Sequence, residues 1–225
     1  RITLYGGKTY FKLELTVFDG NQDSLESSSH IQDFAIRLKL NLNSSRQKFT
    51  LGGTKEDYRG SFLQHPMASM FQMTASQYQV FGAIEGNGEV EDNRAPNLGW
   101  VDLSDDEYGL SVGIRWFSKL FPKGFEVQDD GTVTIKLFPS LAPALEIPKG
   151  FCRTHELLFH FHGKRDFALG QVKNVMLGFQ NPIYATAPAS SYISDLVGSA
   201  DLSRGSNRDF GSLQLSLVPQ YEAWL

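Results

Sequence analysis

Residues 11–17 read Phe-Lys-Leu-Glu-Leu-Thr-Val, and their unbroken alternation of apolar and polar side chains decides the fold class. A period of two places all the apolar side chains on one face of a β-strand. Residues 34–42, Phe-Ala-Ile-Arg-Leu-Lys-Leu-Asn-Leu, repeat the pattern. We therefore predict two half-buried strands that pair with each other in antiparallel orientation.

Similar patterns recur along the chain and are separated by turn residues. Further strands are predicted at residues 70–74, 78–85, 98–103, 109–117, 132–138 and 151–162. The turn signals between them are Asp19-Gly20-Asn21, Gly52-Gly53, Gly86-Asn87-Gly88, Asp129-Asp130-Gly131 and Pro148-Lys149-Gly150. Many short strands with such turns predict an all-β fold, a large antiparallel β-sandwich.

One segment has the periodicity of a helix. Residues 166–178 begin at a suitable N-cap, Asp166, and carry an apolar stripe of Val172, Val175, Met176 and Phe179. We predict one short helix, packed on a sheet edge. After Pro182 the composition shifts to Ala, Ser, Pro and Gly, so we assign residues 1–185 to the sandwich and 186–225 to an exit segment towards a C-terminal domain.

The composition argues against several classes of function. The 225 residues carry a formal net charge of −4 without a basic run, which argues against a nucleic-acid surface. No apolar stretch reaches the ~20 residues that a membrane helix needs. No glycine-rich phosphate loop, nucleophile elbow or cysteine pair is present, so no cofactor is predicted.

The single cysteine, Cys152, excludes an internal disulfide and leaves the cellular compartment open. Because Arg1 opens almost directly into a strand-like run, we expect a piece of a longer protein.

Four stretches resemble one protein family. Residues 99–105 read Gly-Trp-Val-Asp-Leu-Ser-Asp, 109–117 read Gly-Leu-Ser-Val-Gly-Ile-Arg-Trp-Phe, 121–124 read Phe-Pro-Lys-Gly and 150–158 read Gly-Phe-Cys-Arg-Thr-His-Glu-Leu-Leu. In order and spacing they resemble the exo-rhamnogalacturonan lyases, most strongly over residues 100–162. The resemblance implies the central β-sandwich of such a lyase, between an N-terminal barrel and a C-terminal α/α domain. It also implies an acidic polysaccharide partner, pectic rhamnogalacturonan, and favours a secreted location for the parent enzyme.

The β-elimination that this resemblance implies needs three chemical groups. A cation or donor neutralises the uronate carboxylate, a base takes the proton α to it, and an acid protonates the leaving oxygen. The catalytic candidates are Arg115, whose planar fork could bind a carboxylate, and Arg153 with His155, which share one strand face. The alternatives are a salt-bridged strand arginine and a hydrogen-bonded structural histidine beside a capping arginine.

Other residues are candidates for binding. His65 precedes Pro66 in a loop, Trp100 and Tyr58 offer flat rings for sugar stacking, and Lys123 adds a cation within the family-like stretch. A plain surface histidine is the alternative for His65. His160 and His162 share the opposite face from His155, a spacing that suits two metal ligands, but the sequence nominates no third, so no metal is predicted.

Two other functions stay open. The chain could be a non-catalytic module that binds carbohydrate or serves as a structural scaffold. It could also be an aldose epimerase, since galactose mutarotases are large super-sandwiches, although Glu156 lies on the opposite strand face from His155, where an epimerase needs both across one cleft. The hypotheses differ in whether Arg115, Arg153, His155 and His65 converge on one concave surface.

Overall fold

The computed structural model describes residues 1–18, 29–53, 57–62, 65–82, 91–93, 97–141, 145–147, 152–163 and 169–181. The strands are β1 (Ile2–Leu4), β2 (Tyr10–Phe18), β3 (Ser29–Ile31), β4 (Phe34–Lys39), β5 (Lys48–Leu51), β6 (Tyr58–Ser61), β7 (Met67–Thr74), β8 (Gln77–Phe81), β9 (Glu91–Asn93), β10 (Trp100–Ser104), β11 (Tyr108–Ile114), β12 (Lys123–Gln128), β13 (Thr132–Phe138), β14 (Leu145–Ile147) and β15 (Cys152–Gly163). One 3₁₀ turn, Ser44–Arg46, and one α-helix, α1 (Leu169–Gln180), accompany them. The predicted all-β class with one short helix is confirmed.

The strands form two large antiparallel sheets and one small one. The seven-stranded sheet has the order β1-β2-β15-β11-β10-β5-β6, and the six-stranded sheet has the order β4-β13-β12-β7-β8-β9. Strands β3 and β14 pair separately. Residues 1–181 form one compact unit.

The predicted pairing of residues 11–17 with 34–42 is wrong. Strand β2 pairs with β15, with Leu13 opposite Leu157, whereas β4 pairs with β13, with Ile36 opposite Ile135. The two strands therefore belong to different sheets. Alternation specifies that one face of a strand is buried, but it carries no information on which strand lies beside it.

The core lies between the inner faces of the two large sheets. Side chains such as Val112 and Leu157 from one sheet meet Phe125 and Ile135 from the other, and all four are fully buried. Burying each such side chain is worth roughly 1.5–3 kcal/mol. Burial of the apolar side chains that the alternating pattern supplies therefore stabilises the predicted sandwich.

Helix α1 packs against the outer face of the seven-stranded sheet, over β11 and β15, and not on a sheet edge as predicted. Its apolar stripe is confirmed, since Val172, Met176 and Phe179 are buried with Trp100 and Leu158 of the sheet. Close approach is allowed by Gly113, where a Cβ would lie 3.0 Å from the Met176 sulfur.

Two predictions on the chain's later part fall outside the described residues. These are the N-cap at Asp166 and the boundary between residues 185 and 186. The helix observed begins at Leu169 and ends at Gln180. Within the described residues, it is too short to span a bilayer.

Candidate functional site

A lysine and a histidine from the two sheets meet inside the sandwich. Lys123 is the first residue of β12 in the six-stranded sheet, and His155 lies on the inner face of β15 in the seven-stranded sheet. The Lys123 Nζ is 2.9 Å from the His155 Nδ1, within hydrogen-bond distance, and donates to the Leu137 carbonyl at 3.5 Å. Both side chains are 0% exposed. The pair therefore bridges the two layers in the core.

Arg153 joins this pair through the ring of Phe138. The Arg153 guanidinium carbon is 5.4 Å from the ring centroid, and the Lys123 Nζ is 5.7 Å from the same centroid. The His155 ring packs edge-on against Phe138 at 5.5 Å. We refer to Lys123, His155 and Arg153 as the cationic cluster. Arg153 is half-buried, whereas the other two are fully enclosed.

Burial dominates the electrostatics of the cationic cluster. It lowers the pKa of Lys123 well below its usual value, and the charge of Arg153 lowers it further. Burial, then Lys123 and Arg153, lower the pKa of His155 to about 3. Burial also lowers the pKa of Arg153. Because charged groups are poorly solvated in the core, burial favours the neutral forms of both Lys123 and His155.

Arg115 lies on the other side of the sheet from His155. Its Nη1 donates to Glu156 Oε2 at 3.0 Å, its Nε donates to the Phe179 carbonyl at 3.2 Å, and its guanidinium stacks 4.7 Å from the Phe179 ring. Glu156 also pairs with Lys12 at 3.3 Å. As predicted, Arg115 points away from the main core, but it anchors α1 to the outer face of the sheet.

The two aromatic candidates for sugar stacking are inside the protein. Trp100 is 0% exposed in the apolar cluster beneath α1, with its indole lying over Gly52. Tyr58 is buried, and its hydroxyl lies 3.3 Å from the hydroxyl of Tyr78. Neither ring offers a face to a sugar. Helix α1 covers Trp100 on the outer face of the sheet, and Tyr58 belongs to the core between the two large sheets.

His65 does not join the cationic cluster through any described contact. Its ring lies 6.1 Å from that of Phe81. Of the seven predicted site residues, the structure brings Lys123, Arg153 and His155 together and leaves His65, Arg115, Trp100 and Tyr58 apart from them.

A second polar cluster, which the sequence analysis missed, surrounds Asp102 on the outer face of the seven-stranded sheet. Asp102 accepts hydrogen bonds from Ser104 Oγ at 3.0 Å and Ser111 Oγ at 2.6 Å, and His162 Nε2 lies 2.7 Å from its Oδ2. All four side chains are buried. A methyl group at Gly109 would overlap the His162 ring, so this glycine makes room for the histidine.

This Asp102 cluster is not arranged like a hydrolytic triad. In a triad the histidine lies between the serine and the carboxylate, whereas here Asp102 is the common partner of both serines and of His162. The signal for the cluster was the polar set Asp102 and Ser104 alternating with Val101 and Leu103. Among the described residues, no three potential ligands are placed to hold a metal ion, His160 and His162 included.

Two open depressions lie at the surface near the turn Ser44–Arg46. One is lined by residues such as Asn43, Arg46 and Asp105, and the other by residues such as Lys48 and Phe62. Burial raises the pKa of Asp105, but the backbone amides of Asn43, Tyr108 and Glu107 outweigh it, so the pKa is lowered overall. This carboxylate accepts three backbone hydrogen bonds and has a structural role in the turn.

The fold and these sites define a class: an antiparallel β-sandwich domain with two buried polar clusters. No protein family model matches the chain, and no curated protein matches it. Among solved structures, it is similar to a crystal structure from Klebsiella pneumoniae subsp. pneumoniae, provisionally assigned as an aldose 1-epimerase, with 10% sequence identity and a TM-score of 0.42. The match covers 82% of this chain and 53% of that protein, so the chain spans about half of its length. A likeness at this level supports no shared activity.

Proposed function

We propose that this chain is a non-catalytic scaffold domain of a larger carbohydrate-active protein, of the kind that the resemblance to exo-rhamnogalacturonan lyases implies. The observation that carries the proposal is the separation of Arg115 from His155. Arg115 binds Glu156 on the outer face of the seven-stranded sheet, while His155 is enclosed on its inner face. The groups that a lyase needs around one carbon atom lie on opposite sides of a sheet.

The properties of His155 also favour a structural role. A general base works best when its pKa lies near the operating pH. The pKa of His155 is about 3, and its side chain is 0% exposed. An imidazole in this state is a weak base for removing a carbon-bound proton, and a polysaccharide has no direct route to it.

The epimerase hypothesis gains no support from the same residues. Glu156 points to the outer face and is engaged by Lys12 and Arg115. His155 is on the other face of the same strand, because consecutive residues of a strand point in opposite directions. The two therefore do not face each other across a cleft.

Exposed apolar side chains near the edge of the seven-stranded sheet favour packing of this domain against another domain. Ile2 and Leu4 of β1 are 65% and 78% exposed, and Phe161 of β15 is 47% exposed. Register places Leu4 opposite Phe11, whose ring stacks on that of Phe161 at 6.2 Å, so these side chains share one face. Contiguous exposed apolar side chains are typical of surfaces that pack against a neighbouring domain.

Two enzyme assays on the 225-residue chain test the proposal. The chain is incubated with rhamnogalacturonan oligosaccharides, and the ultraviolet absorbance of an unsaturated uronate is followed. In parallel, mutarotation of galactose is followed by polarimetry. We expect no turnover above the uncatalysed rate in either assay. Turnover that disappears in a folded His155→Gln variant, but persists in Arg59→Gln, would overturn the proposal.

A further inference from the structure

We infer that the free edge of β1 is an interface at which two copies of this chain pair, strand against strand, around a two-fold axis at Thr3. This goes beyond the scaffold role, because that role does not require self-association. Strand β1 ends the seven-stranded sheet and pairs with β2 on one side. Within the described ranges, no strand pairs with its other side. An unpaired strand edge is a template for a further strand.

The backbone of β1 shows which of its polar groups are unused. The Arg1 nitrogen donates to the Glu14 carbonyl at 2.9 Å, and the Glu14 N–H donates to the Arg1 carbonyl at 2.8 Å. Because hydrogen-bonded and non-hydrogen-bonded pairs alternate in an antiparallel ladder, Thr3 also directs its N–H and C=O at β2, whereas Ile2 and Leu4 direct theirs away. No described backbone group bonds to those of Ile2 and Leu4. The edge therefore offers two donors and two acceptors.

These four groups match those of a second copy that runs antiparallel. When Thr3 of each copy lies at the two-fold axis, Ile2 is opposite Leu4 of the second copy, and each such pair exchanges two hydrogen bonds. Thr3 then faces Thr3 of the second copy as a non-hydrogen-bonded pair, and paired threonines stabilise sheets. In this register every polar backbone group of Ile2 and Leu4 has a partner.

The side chains of β1 suit the same arrangement. Ile2 and Leu4 are 65% and 78% exposed, on the sheet face that also carries Phe11 and Phe161. Pairing places Ile2 beside Leu4 of the second copy at both ends of the interface. Two exposed apolar patches are thereby joined into one, which removes apolar surface from water.

Charge favours this edge over the other edges of the two large sheets. Their remaining end strands are β4, β6 and β9. The sequence of β4 includes Arg37 and Lys39, that of β6 includes Arg59, and β9 reads Glu91-Asp92-Asn93. Charged residues on an edge strand oppose pairing with another chain. Strand β1 reads Ile-Thr-Leu and carries no charge.

The charged residue that precedes β1 is also accommodated. The Arg1 side chain is 76% exposed, and Tyr5, at the other end of β1, is 40% exposed. In the register centred on Thr3, Arg1 is opposite Tyr5 of the second copy, so a cation lies beside an aromatic ring. The two Arg1 side chains are at opposite ends of the interface, and like charges do not meet.

Sedimentation velocity of the 225-residue chain over about a 100-fold range of concentration tests the inference. We expect a species with twice the 25.2 kDa mass of one chain to grow with concentration. Leu4→Pro removes an N–H that points away from β2, and Leu4→Lys places a charge on the edge. Both variants should raise the dissociation constant of the dimer at least ~10-fold. The control is Leu141→Lys, at a leucine that is 64% exposed outside β1, and it should dimerise as the wild type does.

Disulfide trapping tests the register. Cys152, the exposed free cysteine, is first replaced in a Cys152→Ser background. Thr3→Cys then places two sulfurs across the two-fold axis, where the Cα atoms of a non-hydrogen-bonded pair are ~4.5 Å apart, within the span of a disulfide. The matched control is Ile2→Cys, because Ile2 is opposite Leu4 of the second copy. Copper phenanthroline should trap Thr3→Cys as a covalent dimer and leave Ile2→Cys uncrosslinked.

Three results overturn the inference. The first is a wild-type chain that stays monomeric throughout the concentration range. The second is a dimer that folded Leu4→Pro and Leu4→Lys form with wild-type affinity. The third is equal trapping of Thr3→Cys and Ile2→Cys, because the contact would then lack the register centred on Thr3. Self-association has no bearing on turnover, so the scaffold proposal stands or fails separately.

Discussion

The imidazole Nε2 of His162 lies 2.7 Å from Oδ2 of Asp102, and both side chains are almost completely shielded from solvent on the outer face of a sheet. Ser111 donates to the same carboxylate oxygen at 2.6 Å. Buried polar groups that satisfy one another fix a unique arrangement of strands, and removing their common acceptor leaves several donors unpaired. The Asp102 cluster is therefore expected to be a principal determinant of stability.

Replacement of Asp102 by Ala tests this role. We expect the free energy of unfolding to fall by about 3–5 kcal/mol, since each buried donor that loses its acceptor costs about 1–3 kcal/mol. Urea denaturation followed by circular dichroism measures the change. Asp106→Ala is the control, because Asp106 is 42% exposed and its ion pairs are worth less than about 1 kcal/mol. Similar losses in both variants would contradict the role assigned to Asp102.

Docking of α1 depends on Met176, which is 0% exposed and packs with Trp100. Met176→Ala should lower the free energy of unfolding by about 2–5 kcal/mol, because it leaves a cavity beneath the helix. Trp100 fluorescence should shift to the red if the helix detaches. The control is Gly178→Ala, where a Cβ meets nothing within 4 Å. This control should be neutral or stabilising by up to about 1 kcal/mol, as expected for alanine in a helix.

The interior Lys123–His155 pair should be a cost to stability and not a gain. Replacing both with apolar residues of similar volume, as in Lys123→Met with His155→Leu, should raise the free energy of unfolding by about 1–4 kcal/mol. Chemical denaturation of the double variant measures the change. Strong destabilisation would show that the pair makes hydrogen bonds worth more than the burial of its polar groups costs.

Acidification should destabilise the fold through His155. The folded-state pKa is lowered from 6.5 to about 3, so between these two values the unfolded state binds the proton and the folded state does not. Stability from this residue is therefore complete above about pH 6.5, declines as the pH falls through the window, and levels off below about pH 3. An NMR titration of the His155 ring checks the pKa, and His155→Gln should flatten the stability profile in the same window. A ring that titrates near pH 6.5 would refute the burial argument.

The ion pair of Arg115 with Glu156 should contribute modestly. The two side chains are 19% and 24% exposed, so solvent screens their attraction in part. A double-mutant cycle with Arg115→Gln and Glu156→Gln should give a coupling energy of about 0.5–1 kcal/mol. If Arg115→Gln lowered the turnover of the larger protein that the scaffold proposal implies, without changing its stability, the result would instead indicate a catalytic role for Arg115.

The sequence allowed the fold class and many strands to be predicted, because burial of one sheet face imposes a period of two. Residues 132–138 were predicted with the bounds that the structure shows for β13, Thr132–Phe138. Within the part of the chain that the structure describes, the prediction missed seven strands: β1, β3, β5, β6, β9, β12 and β14. In Lys48–Leu51 the last three residues are all buried, and such strands lack the alternation that reveals a one-sided strand. Which strands pair could not be predicted, since register and neighbours depend on contacts distant in sequence.

The candidate site was predicted in part. Because Arg153 and His155 are two positions apart on one strand, the sequence predicted that they share a face. The structure brings Lys123 to His155 from the other sheet. That encounter joins residues 32 positions apart and across two layers, so local patterning could not reveal it. The surroundings of Arg115 and Trp100 could not be predicted for the same reason: a helix later in the chain covers the face on which they lie.

The most direct test of the scaffold proposal is the kcat of the larger carbohydrate-active protein that it implies, measured with and without the double substitution Lys123→Met with His155→Leu. We predict that kcat stays within about twofold of the wild-type value, since groups that do not touch the reacting atoms do not lower the barrier. A fall of about 10²-fold or more in a correctly folded variant, the size expected for loss of a general acid or base, would contradict the proposal.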